Sequence, residues 1–256
     1  MRDEIGRRSG SRSRSRAPLI ACAVVAAVVA AGGVFVAAVV RAPSGAASAA
    51  GIDPADFTSP QRNPYFPLKP GTVSIARGSE DGERLHERMR VTHRTKKIQG
   101  VTTKVVRDTL WVDGSLEERT FDWYAADNSG NVWYFGEDTA TYDDKGHVVS
   151  REGSWQAGVD GARAGIILPA NPGPTDAYRQ EFYRGHAEDQ AWIVSRHEVV
   201  RVPYGRIEDV VRSYEWTRLE PKVVSVKFYG PGLGIVQEAD IAGGSERLQL
   251  VRVKHT

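Results

Sequence analysis

Two apolar patterns divide the chain. The first is one unbroken run, APLIACAVVAAVVAAGGVFVAAVV, from Ala17 to Val40, with no charged residue. At about 1.5 Å rise per residue it would make a helix of roughly 36 Å, enough to cross a hydrocarbon core of about 30 Å. The pattern predicts one transmembrane helix over 17–40. The second pattern, beyond residue 62, has the period of two that marks strands: in VVSVKFY, Val224, Val226 and Phe228 alternate with Ser225 and Lys227, and in LQL Leu248 and Leu250 flank Gln249. VWYF, Val132 to Phe135, is apolar at every position, which predicts a strand covered on both sides.

Turn chemistry separates these runs. Gly114, Gly130 and Gly146, in VDGS, NSGN and DKGH, fall sixteen residues apart, the rhythm of strands folded back by tight turns. Further strands are expected around 72–77, 84–95, 102–112, 119–125, 148–155, 178–183, 193–202 and 206–217. The fold class predicted is mostly β: a meander of about ten antiparallel strands forming a curved sheet or barrel, behind one N-terminal transmembrane helix. GVDGARAGIILPANPGPTD, Gly158 to Asp176, breaks the rhythm with four glycines and three prolines around Ile166-Ile167-Leu168. It predicts a long loop with an apolar centre, acting as a lid or as a plug that seals the core.

The flanks of the apolar run set its direction. Six arginines and only Asp3 and Glu4 precede it, whereas Arg41 is followed by Asp53 and Asp56, so the positive-inside rule keeps residues 1–16 cytoplasmic and places the remainder outside the plasma membrane. Leu19-Ile20-Ala21-Cys22 has the letters of a lipoprotein signal, but the apolar run follows the cysteine instead of preceding it; Cys22 reads as a membrane-buried thiol. Ala47-Ser48-Ala49 offers a cleavage site that would release a secreted domain, although the apolar run is longer than a signal peptide requires. Residues 41–62, small, polar and proline-bearing, read as a flexible linker, and residues 63–256 as the extracytoplasmic β domain.

Charge and cysteine narrow the function. With 7 of the 34 basic and 2 of the 32 acidic residues confined to the first 41 positions, the exported part is slightly acidic, which argues against nucleic acid as a partner. The single cysteine precedes it, so neither disulfides nor cysteine-bound zinc can hold it together.

No familiar catalytic motif survives inspection. HERMR at His86 and HEVVR at His197 place Arg90 and Arg201 where a zinc peptidase needs its second histidine. There is no Gly-x-Ser-x-Gly elbow or phosphate-binding glycine loop, and no cofactor or metal is expected. Asp127 to Asn131 has calcium-like oxygen spacing but Asp138 where the bidentate glutamate belongs, so an ordinary turn is expected. The most polar constellation is YRQEFYRGHAEDQAW, where Glu181, His186, Glu188 and Asp189 could bind a hard cation, perform acid–base work or simply make ion pairs in a solvated loop. Trp123, Trp133, Trp155, Trp192 and Trp216 either fill the core or line a ligand site. The residues singled out for ligand binding are Trp155, Ile167, Tyr178, Glu181, His186 and Glu188. The expected function is non-enzymatic binding of a small apolar or envelope ligand, or of an envelope protein. The alternative is an envelope glycan hydrolase with a carboxylate pair such as Glu181 and Glu188 across a cleft.

NPYFPLKPGT at 63–72, FDWYAADNSGNVWYFGEDT at 121–139, GSWQAGVDGARAGIILPANP at 153–172, YRQEFY at 178–183 and YGPGLGIVQE at 229–238 resemble a family of uncharacterised bacterial exported proteins over Asn63 to the C-terminus. The resemblance implies a cell-envelope or secreted β domain and carries no activity. The chain departs from that pattern after Thr72, with Ser74 and Ala76 where relatives have a Trp-x-Tyr strand.

Overall fold

The computed structural model describes residues 51–256. The basic segment 1–16, the run 17–40 expected to span the membrane and the linker up to residue 50 lie outside the described residues. Among the described residues no helix is long and apolar enough to cross a membrane.

The architecture is one antiparallel sheet of 15 strands, more than the ten expected. In chain order they are β1 Thr72–Glu80, β2 Glu83–Ile98, β3 Val101–Val112, β4 Ser115–Ala126, β5 Val132–Tyr142, β6 Val148–Ser150, β7 Trp155–Gln156, β8 Arg163–Leu168, β9 Ala177–Arg179, β10 Glu181–Phe182, β11 Asp189–Val202, β12 Gly205–Thr217, β13 Val224–Gly230, β14 Gly234–Ala242 and β15 Arg247–His255. The first hairpins are tight because Asp81-Gly82, Gln99-Gly100 and Asp113-Gly114 all take positive φ, the turn that matches strand twist.

The spatial order is β10-β8-β5-β4-β3-β2-β1-β15-β14-β13-β12-β11-β9, with β6 and β7 also paired to β5. Its two ends, β9 and β10, are separated in sequence by Gln180 alone. The segment 177–182 therefore pairs with β11 on one side and β8 on the other and draws the sheet into a barrel. At this seam β8 meets the crossing backbone so closely that a Cβ on Gly165 would fall 2.5 Å from the Arg179 carbonyl oxygen, which only glycine permits.

Four expectations change here. The segment 158–176 is not a free loop: its apolar centre is β8, paired with β5 and β10, with Leu168 fully buried. The strand expected over 148–155 is two short pieces, β6 and β7, and that over 178–183 splits at Gln180 because its halves serve opposite sheet ends. Residues 51–62, expected as part of a flexible linker, dock on the barrel: Ile52 and Phe57 pack on the core, and Phe57 sits edge-on to Trp133 and Phe135. Asn63 anchors this strap, its Nδ2 donating to the Gly130 and Pro169 carbonyls at 3.0 and 2.9 Å while its Oδ1 accepts from Tyr65 and Phe66 amides.

Candidate functional site

The interior of the barrel is polar. Side chains from seven strands and from the segment before β1 line one cavity, among them Phe66, Glu87, Asp108, Glu118, Asp122, Tyr124, Glu137, Ile167, Lys227, Tyr229 and Glu238. Alternation along β4 puts Glu118, Thr120 and Asp122 inside and turns Arg119 and Phe121 outward; on β13 the same rule buries Lys227 and Tyr229.

Lys227 is the cation of this chamber. Its Nζ lies 3.2 Å from both Glu215 Oε2 and Glu238 Oε1. Glu215 Oε1 also accepts from Ser213 Oγ and Tyr229 Oη, each at 2.7 Å. On the far side the acids hold protons instead. Burial pushes Glu118 up to about 8, against the Thr120 hydroxyl that donates to it, with Asp108 and Asp122 adding repulsion. Burial and then the charge of Asp108 raise Asp122 to about 7, although Tyr134 Oη donates to it at 2.9 Å. Burial lifts Glu137 well above the carboxylate range, Asp122 and Glu181 adding to it, and Glu137 Oε2 has no hydrogen-bond partner. Burial likewise raises Glu87 and Asp108, which share a hydrogen bond between their carboxyls. Such a cluster stores protons rather than charge. Among the described residues no group of three or more His, Cys, Asp or Glu is placed to hold a metal ion.

The residues singled out from the sequence fall in two places. Trp155, 4% exposed, stands edge-on to Tyr134 in the core and beside Glu181. Ile167 is half-buried on the chamber wall, and Tyr178 turns its hydroxyl, raised well above its ordinary pKa by burial and then by Glu215, inward. The next segment is a small ribbon in which Tyr183 bridges Ala187 and Gln180 donates to the Asp189 carbonyl. Alternation across that ribbon sends Glu181 and Asp189 into the chamber, where burial and then their mutual repulsion hold Glu181 well above its ordinary pKa. Phe182 and Glu188 face the opposite way and line a separate outer cleft. The hydrolase pair Glu181 and Glu188 is thus not assembled. His186 is exposed and stacks on Tyr183 with centroids 4.4 Å apart. The turn at Asp127 is closed by its own donors: the carboxylate accepts from the Ser129 and Asn131 amides, Asn131 Nδ2 and Trp133 Nε1, all within 2.9 Å.

The outer surface of the same strands has the opposite sign. Outward positions of β2, β3 and β4 carry Arg88, Arg90, Arg107 and Arg119, close enough that Arg107 is lowered first by burial and then by its three arginine neighbours. The Nε atoms of Arg88 and Arg107 are buried without a hydrogen-bond partner. Aromatic rings interleave with these cations: Arg88 over Trp111 at 5.2 Å, Arg94 over Phe121 at 5.7 Å, Lys96 over Trp123 at 3.2 Å and Arg119 over Tyr142 at 5.5 Å. The slightly acidic total of the exported part conceals this separation of charge. Of the 27 basic and 30 acidic residues after position 41, ten acids (Glu87, Asp108, Glu118, Asp122, Glu137, Glu181, Asp189, Glu215, Glu238, Glu246) and Lys227 belong to the interior, which leaves 26 basic against 20 acidic elsewhere.

No protein-family model matches the chain, and no curated protein does. Among solved structures it is similar to a candidate exported protein with a YmcC-like fold from Bacteroides fragilis, 18% identical with a TM-score of 0.43 over 74% of this chain and 98% of that one. A candidate lipoprotein from Parabacteroides distasonis is 12% identical, with a TM-score of 0.38 over 76% of this chain and 100% of that one.

Proposed function

We propose that this is a membrane-tethered, extracytoplasmic, non-enzymatic β barrel that lies against anionic lipid through the outer face of β2, β3 and β4. The observation that carries the reading is the cation and aromatic lattice of that face: Arg88, Arg90 and Arg119 crowd Arg107, with no neutralising carboxylate among the groups that act on it, and aromatic rings lie under the cations. Such a set is relieved by a partner of negative charge, at about 1 kcal/mol per Lys or Arg near an anionic bilayer.

Geometry favours the membrane over a soluble partner. The apolar run ends at Val40 and the docked strap begins at Gly51, so ten residues intervene, at most about 35 Å of extended chain. The strap enters at the β2–β3 turn, where a Cβ on Gly100 would fall 2.7 Å from Pro54 Cγ. Arg94 and Lys96, stacked on Phe121 and Trp123, stand near that same end. A short tether at this rim holds the cationic face at high effective concentration next to headgroups. An apolar ligand in the lumen is disfavoured, because it would lie against Glu118, Asp122, Glu137 and Lys227, each at most 6% exposed.

The test reconstitutes the full chain in discs of phosphatidylcholine alone or mixed with phosphatidylglycerol, each containing headgroup spin-labelled lipid that quenches nearby tryptophan. Quenching should be stronger with phosphatidylglycerol, fall at high salt, and be lost with Arg88→Gln/Arg107→Gln; a Trp111→Phe variant assigns the signal. Equal quenching in both discs would overturn the docking reading. Anchoring is judged separately, by N-terminal sequencing of the membrane-bound chain: a start near Ala50 would refute the anchor.

A further inference from the structure

At the barrel seam, outside the chamber and away from β2–β4, a cleft of about 500 Å³ is lined by Asp160, Gly161, Arg163, Arg179, Phe182, Arg184, Glu188 and Arg218. Its composition is unusual for a surface hollow: four guanidiniums converge from four separate segments against two carboxylates. Neither carboxylate neutralises them fully. Glu188 Oε1 accepts from the Gly185 amide at 3.0 Å, and its Oε2 is 4.0 Å from Arg218 Nε, too long for a hydrogen bond. Arg163 and Arg179 are positioned without acids: their guanidiniums rest over the Phe182 ring at 4.7 and 4.8 Å from its centroid. Stacking restrains each planar group while leaving its in-plane donors free to reach a ligand.

We infer that this cleft binds a phosphate or sulfate group carried by a small ligand. Each restrained guanidinium presents paired N–H donors, the fork that grips tetrahedral oxyanions, and Arg184 and Arg218 supply further charge in the same cleft. The seam gives the site a second property. Arg163 stands on β8 and Arg179 on β9, which belong to opposite ends of the sheet and meet only because 177–182 closes the barrel. An oxyanion held between them bridges the two ends, so occupancy stabilises closure. The inference is independent of the lipid-docking face, whose arginines lie on other strands.

The experiment follows thermal unfolding of the full chain in non-ionic detergent near neutral pH. Sodium phosphate, sodium sulfate and glucose 1-phosphate are titrated against sodium chloride at matched ionic strength. Phosphate and sulfate should raise the melting temperature saturably where chloride does not. Arg163→Gln/Arg179→Gln should weaken the apparent affinity about tenfold or more, and its melting temperature without oxyanion should stay near that of the parent, since both side chains are exposed. Arg88→Gln/Arg107→Gln should leave the effect intact, which separates this site from the docking face. Tighter binding of glucose 1-phosphate than of inorganic phosphate would show that the ligand extends beyond the oxyanion; equal binding would place recognition in the oxyanion alone. Absence of a saturable shift over chloride, or a shift that survives the Arg163/Arg179 double variant, would overturn the inference.

Discussion

Lys227 shows how one residue is misread from pattern and then explained by its neighbours. In VVSVKFY Val224, Val226 and Phe228 mark one face, and a lysine on the other face reads as half-exposed; the period is correct, yet Lys227 is 5% exposed and points inward. Apolar alternation locates a barrel's interior only when the interior is apolar, and here Glu215, Glu238 and Tyr229 surround the lysine. The same inversion hides Glu118 and Asp122 on β4, where the outward-facing Phe121 is the more conspicuous residue. Removing one partner of a buried pair costs about 3 to 5 kcal/mol, because the remaining charge is stranded. Lys227→Met should therefore destabilise the domain by about that much near pH 8. The loss should shrink on acidification, as Glu238, whose pKa burial already raises, takes up a proton in place of its cation. Urea unfolding at the two pH values decides: an equal loss at both would mean that packing, and not charge, is what Lys227 supplies.

At the scale of elements, long strands and their turns were legible and short strands were not. Gly114, Gly130 and Gly146 do sit at successive hairpin connections, and β5 is covered on both sides as VWYF implies, with Val132 and Phe135 fully buried. β8 was hidden because RAGIIL carries a glycine and leads into a Pro-rich stretch, both signals of a loop; only closure against β9 and β10 gives Gly165 a reason to be there. The strap at 51–62 was hidden for a related cause. Its composition is that of a linker, and its order comes from distant partners such as Asn128, whose Oδ1 accepts from the Ser59 amide and whose Nδ2 donates to the Ala55 carbonyl. Asn63 joins the strap, the β4–β5 turn and the end of β8 through four hydrogen bonds, three of them buried. Asn63→Ala should cost about 2 to 4 kcal/mol, by orphaning backbone groups in all three. Asn63→Asp keeps the acceptor for Tyr65 and Phe66 but sets a carboxylate oxygen against the Gly130 and Pro169 carbonyls, and should cost at least as much. If both variants melt like the parent, the strap is not held by this side chain.

Across the whole molecule, the distribution of charge is the property that sequence totals concealed: acids are gathered inside, where they are driven to protonate, and cations dominate outside. That segregation sets the sign of the pH dependence. A carboxyl whose pKa is raised by folding contributes its full stability below its unfolded value and loses it as pH climbs through the folded one. For Glu118 the window runs from 4.5 to about 8, and for Asp122 from 3.8 to about 7, with Glu137 and Glu181 raised in the same direction. His86 acts oppositely, since burial and then Arg77 lower its pKa, but its cost appears only as pH falls below 6.5. Between about pH 8.5 and 6.5 the carboxyls act unopposed by it, and each tenfold in proton affinity is worth about 1.4 kcal/mol. The domain should therefore gain stability on acidification across that interval, by about 2 kcal/mol or more, the reverse of proteins whose buried carboxylates are ionised and paired. Glu118→Gln, which keeps an acceptor for the Thr120 hydroxyl and removes the proton to be lost, should stabilise more near pH 8.5 than near pH 6.5 and so flatten the profile between them. Urea midpoints across the interval measure this directly. A stability that rises with pH would mean that the chamber acids are ionised in the folded state and that the interior is wetter than its burial implies.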